Sequence, residues 1–122
     1  MVILDTNIFV YLSKGTLDRR IISDIDIAHA SITRLESLGY SNILANELHL
    51  MSALFNESYN LALTDSVIDR AIKLRQYMHM SLGDSIIAAT ALENDIELWT
   101  ANVNDFQHIE GLKLTNPLKD LR

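Results

Sequence analysis

The chain has 122 residues, no cysteine, 48% hydrophobic residues and a formal net charge of −6. The length suits one domain, the apolar fraction excludes disorder, and the missing cysteines exclude disulfides, thiolate metal sites and thiol redox chemistry. The acidity argues against a module that holds nucleic acid by charge alone, but not against an enzyme whose carboxylates are offset by metal ions, nor against a basic partner chain.

The apolar run Val2–Leu4 suits a buried strand. The pattern then predicts a helix over Ile8–Leu12, ending near Gly15, and apolar residues at Leu17, Ile21, Ile22 and Ile25 predict another over 17–25. Ile27–Ala30 reads as a second strand. Helices follow over Ile32–Leu38 and Ile43–Phe55, and a third strand over Leu61–Leu63. Thr64 or Asp65 caps a helix to about Met78. Asp84 opens a helix over Ser85–Glu93 that is apolar nearly all round and hence central. Glu97–Thr100 and Leu112–Leu114 complete the strands. Alternating β and α segments predict a single α/β domain with a parallel sheet covered by helices. Ligands in such sheets bind at the carboxyl ends of the strands. The N-terminus has no basic stretch and Asp5 interrupts it early, so no secretion signal is expected. No window approaches the roughly 20 apolar residues of a membrane span. A cytoplasmic location is the expectation.

Four acids stand beside apolar segments: Asp5, Glu36, Asp84 and Asp105. A carboxylate so placed is costly unless paired, and four converging would form an oxygen-only nest for a hard divalent cation. Each also has a simpler reading. Asp5, Thr6 and Asn7 are all good N-caps. Thr33-x-x-Glu36 matches a capping box. Asp84 would be favoured by the helix dipole, although an acid leading a buried helix still needs a partner. Residues 100–106 make an ordinary loop with an Asx turn, or a loop presenting Asn102 and Asp105. The four histidines show no zinc-protease spacing and read as structural or surface groups. There is no Gly-rich phosphate loop and no Gly-x-Ser-x-Gly.

Taken in order, Ile3-Leu4-Asp5-Thr6-Asn7, Ser31-Ile32-Thr33-x-x-Glu36, Gly83-Asp84-Ser85-Ile86-Ile87-Ala88-Ala89-Thr90-Ala91 and Leu98-Trp99-Thr100-Ala101-Asn102-x-x-Asp105-Phe106 resemble the four motifs of PIN-domain proteins, most closely the VapC-type toxins of toxin–antitoxin pairs. Ala101 departs from the basic or polar residue many relatives carry. The resemblance implies a three-layer α/β/α sandwich and an acidic cluster of Asp5, Glu36, Asp84 and Asp105 binding Mg²⁺ or Mn²⁺. Asp5 and Asp84 would be the main ligands. Asp105 would ligate directly or through water, and Glu36 would orient the water or complete the shell. Thr6, Asn7, Thr100 and Asn102 would hold these carboxylates by hydrogen bonds. The implied activity is a metal-dependent endoribonuclease, the toxin of a pair, with an RNA substrate, an antitoxin whose peptide enters the acidic site, and a homodimeric state. The rivals are a catalytically inactive PIN-like protein that binds RNA or a partner, and a metal-dependent phosphatase.

Overall fold

The computed structural model describes residues 1–39 and 41–120. Five strands, β1 (Val2–Leu4), β2 (Ile27–Ala30), β3 (Tyr59–Leu61), β4 (Glu97–Trp99) and β5 (Leu114–Thr115), form one sheet in the order β3-β2-β1-β4-β5. Every pairing is parallel. β1 is central because it is short, apolar and covered on both faces. Its alternation sends Leu4 into one core, with Ile8, Phe9, Leu12, Leu54, Phe55 and Trp99, and Ile3 into another, with Ala88, Ala91, Leu98 and Phe106. The first core is supplied by helices α1 (Thr6–Lys14) and α3 (Ala45–Asn56), the second by α5 (Leu82–Asn94). Helix α2 (Ser31–Leu38) leaves β2 directly, and α4 (Asp65–Tyr77) packs on α5 through Val67, Ala71, Ile86 and Ala89. The result is the expected α/β/α sandwich. Ser85 through Ala91 are all buried, as an all-round apolar helix requires. Among the described residues, no helix is long and apolar enough to cross a membrane.

Local signals set several helix ends. Gly15 stops α1 with φ 77°, a left-handed conformation that glycine adopts without penalty. The Thr64 hydroxyl accepts the Val67 N–H at 3.2 Å and starts α4. Thr64→Ala should therefore cost about 1 kcal/mol in chemical denaturation, and Thr64→Ser should restore most of it.

Three expectations shift. The helix predicted over 17–25 is one 3₁₀ turn, Arg19–Ile22, with no buried residue. The Asp18 carboxylate takes both the Arg20 N–H and its guanidinium, and this local bonding competes with a longer helix. The third strand lies at 59–61 rather than 61–63, because pairing with β2 sets Ala28 against Tyr59 and Ala30 against Leu61. The fifth lies at 114–115 rather than 112–114, with Leu112 packed against the second core instead. Both are edge strands, whose apolar pattern is weak.

Candidate active site

Asp5 follows β1 without a gap. Its N–H still continues the sheet, donating to the Trp99 carbonyl at 2.9 Å. Its side chain is only 5% exposed. Oδ1 accepts the Thr6 N–H at 2.8 Å, so Asp5 does cap α1. Oδ2 accepts the Thr100 hydroxyl at 2.7 Å and the Asn7 amide at 3.4 Å. Capping and site formation thus coexist in one residue. Burial raises the Asp5 carboxyl above the ordinary carboxylate range, the Thr100 and Thr6 hydrogen bonds oppose that shift, and the charges of Asp84 and Glu36 add to it.

Asp84 lies in the first turn of α5, which begins at Leu82, three residues before the expected opening at Ser85. The cap is Ser81, whose hydroxyl oxygen accepts the Asp84 N–H at 3.1 Å. The sequence signal was present, since Ser81-x-x-Asp84 has capping-box spacing, but the expectation placed a capping box at Thr33-x-x-Glu36 instead. That box does not form. Helix α2 begins at Ser31, Ala30 makes no side-chain cap, and Thr33 sits inside the helix with its hydroxyl buried and unpartnered. Glu36 is therefore free of capping duty, and its Oε1 accepts the Thr6 hydroxyl at 3.0 Å. Burial raises the Asp84 carboxyl as well, Ser81 hydrogen bonding lowers it, and the charge of Asp105 raises it further.

Asp105 ends a short 3₁₀ turn, Val103–Asp105, and is exposed, while its neighbour Phe106 is fully buried and anchors the loop. The expected Asx turn is not made by the Asn102 side chain, which forms no cap bond. Asn102 reaches the site through its backbone, donating its N–H to the Thr100 hydroxyl oxygen at 3.0 Å. Asn7 also accepts the Ala101 N–H at 3.5 Å, tying α1 to the loop after β4.

The four carboxylates thus form a chain of mutual repulsion: Glu36 acts on Asp5, Asp84 on Asp5, and Asp105 on Asp84. The ion pairs Arg19–Glu57, Arg20–Asp18 and Arg70–Glu93 use none of them. The N-termini of α1 and α5 offset part of the charge at Asp5 and Asp84. As they lie, no three acidic or histidine side chains among the described residues are close enough to enclose a metal ion. Glu36 and Asp105 are exposed, while Asp5 is buried. The donor set is oxygen only, which suits a hard divalent cation. The histidines stand apart from this cluster. His29 is buried against Phe9 and Phe55, and burial first and the Arg34 charge second lower its pKa to about 4. His49, His79 and His108 are exposed.

This architecture, with acids at the carboxyl ends of a five-stranded parallel sheet, defines a PIN-like α/β domain. Neither a family model nor a curated protein matches the sequence. Solved structures do. A toxin–antitoxin complex from Klebsiella pneumoniae matches at 27% identity and a TM-score of 0.77, over 96% of this chain and 98% of that one. VapBC-1 from nontypeable Haemophilus influenzae matches at 24% identity and 0.78, over 95% and 98%. DNA-bound VapBC from Salmonella typhimurium matches at 20% identity and 0.82, over 94% and 98%. The chain therefore has the fold of these toxin–antitoxin structures over nearly its whole length.

Proposed function

We propose that this protein is a divalent-metal-dependent endoribonuclease and the toxin of a toxin–antitoxin pair. The observation that carries the reading is the line of four mutually repelling carboxylates, unpaired with any cation among the described residues, at the carboxyl edge of a VapC-type fold. Asp5 and Asp84 would hold Mg²⁺ or Mn²⁺, with Asp105 and Glu36 completing the shell. The bound ion would relieve the crowded negative charge, offset that of a phosphodiester and favour ionisation of water. Thr100 and Thr6 fix the Asp5 carboxylate, so it need not reorganise when a ligand arrives. Glu36 keeps Oε2 outside its bond to Thr6, and that oxygen would accept a hydrogen bond from the attacking water. The acidic site would also receive a basic side chain of an antitoxin, the partner that the Klebsiella pneumoniae complex suggests. Exposed apolar residues such as Leu44 and Leu48 on one side, and Ile68 and Ile72 on α4, supply area for that partner or for a homodimer. A cytoplasmic location belongs to the same proposal.

The test is cleavage of single-stranded RNA with Mg²⁺ or Mn²⁺ and with chelator. Metal-dependent cuts leaving 5′-phosphate ends are expected. RNA binding without cleavage would instead indicate a binding protein, and release of phosphate from monoesters alone a phosphatase. The same assay isolates Asp105. Asp105→Asn keeps the shape but loses the anionic oxygen a hard cation prefers, so cleavage should fall by about tenfold or more. Asn104→Ala, one residue away in the same exposed turn, should stay within about twofold of the parent. Equal loss in both variants would remove Asp105 from the cluster.

A further inference from the structure

Gly83 lies in the first turn of α5, between the cap Ser81 and Asp84. Its backbone does not demand glycine, because the glycines with positive φ are Gly15 and Gly111. Glycine weakens a helix relative to alanine, so another contact must account for it. That contact is across the interface with α2. A Cβ added at Gly83 would stand 2.9 Å from Glu36 Oε2 and 3.4 Å from both Cδ and Oε1. On the other side, the Thr6 hydroxyl donates to Oε1 at 3.0 Å. The Glu36 carboxylate therefore occupies a slot between α1 and α5 that exists because residue 83 has no side chain.

We propose that Gly83 is a positioning residue, whose missing side chain seats the Glu36 carboxylate against Thr6 and within reach of the cluster. The inference rests on the metal-site reading above and assigns a role to a residue that touches no reacting atom. Glu36 is exposed and its carboxylate is the far end of a flexible chain, so a methyl group at residue 83 displaces that carboxylate rather than the backbone. Gly83→Ala should thus fold normally, with an unchanged or higher Tm.

Calorimetric titration with Mn²⁺ would compare the parent, Gly83→Ala, Glu36→Gln and the double variant. Gly83→Ala should weaken Mn²⁺ binding roughly tenfold. In the double variant it should add little to the loss from Glu36→Gln, because the group it displaces has already lost its charge. Parent-like affinity in Gly83→Ala, or additive losses, would overturn the proposal. In metal-free protein the Glu36 side-chain carboxyl ¹³C resonance should move in Gly83→Ala, and in the same sense as in Thr6→Val. An unmoved resonance would overturn the seating role even if the parent bound no Mn²⁺, an outcome that by itself would defeat the metal-site reading instead.

Discussion

Asp5→Asn is expected to make the metal-free protein more stable at neutral pH while removing Mn²⁺ binding and RNA cleavage. The two effects share one cause. The Asp5 carboxylate is buried, and its folded-state pKa lies above the ordinary value because burial and the neighbouring acids disfavour its charge. A raised acid binds its proton more tightly when folded than when unfolded. Stability is then greatest below the unfolded carboxylate pKa, and is lost as pH rises from that value through the raised one. At neutral pH the full penalty is present. Asparagine removes the charge, still accepts the Thr6 N–H as a good N-cap, and can meet the Thr100 hydroxyl, which is free to rotate. Thermal denaturation in chelator should show Tm raised by a few degrees. The fall in stability above the carboxylate range should become shallower without vanishing, since Asp84 is shifted the same way. Saturating Mn²⁺ should stabilise the parent by binding the folded state and leave the variant unmoved. A variant less stable than its parent in chelator at neutral pH would contradict the reading of Asp5 as a buried charge whose hydrogen bonds only partly offset its burial.

Asp84→Asn carries the second large effect. Losing a residue that merely supports a ligand costs roughly 10–100-fold in metal affinity, so losing a main ligand should exceed about 100-fold. Calorimetry with Mn²⁺ measures this directly. Folding should survive, because the cap of α5 belongs to Ser81 and requires only the backbone N–H of residue 84. Ser81→Ala provides the complementary control. It should destabilise the helix start by about 1 kcal/mol while leaving the Asp84 carboxylate in the cluster. Mn²⁺ affinity in Asp84→Asn within a few fold of the parent would dismiss Asp84 as a ligand and confine the site to Asp5 and its neighbours.

Both experiments target acids that the sequence pattern singles out, but for unequal reasons. Short-range patterns were reliable where the chemistry is local. The apolar runs at 2–4 and 27–30 became strands, Gly15 ended a helix, and Thr64 capped one. Alternating β and α segments implied the parallel sheet, and its carboxyl edge located Asp5 and Asp105. One capping signal points to a box that does not form, however, while a second of the same spacing caps a helix without being singled out in the sequence. Thr33-x-x-Glu36 and Ser81-x-x-Asp84 have the same spacing, yet only the second begins a helix with a side-chain cap. β2 runs straight into α2 with Ala30 at the junction, so Thr33 is already inside the helix. No four-residue window carries that information.

The remaining features depend on residues far apart in the chain. The Thr100 hydroxyl meets Asp5 across 95 positions, and the Thr6 hydroxyl meets Glu36 across 30. The emptiness at Gly83 has meaning only beside the Glu36 carboxylate. The edge-strand registers of β3 and β5 likewise come from their partners, because exposed or half-buried strands lack the strong apolar alternation that specifies pairing. Periodicity, the Gly15 and Thr64 helix ends and the order of the acidic motifs are properties of neighbouring residues, and the sequence alone established them. The seating of those acids depends on which helix faces which strand end, and that follows from packing two apolar faces of one sheet rather than from any local preference.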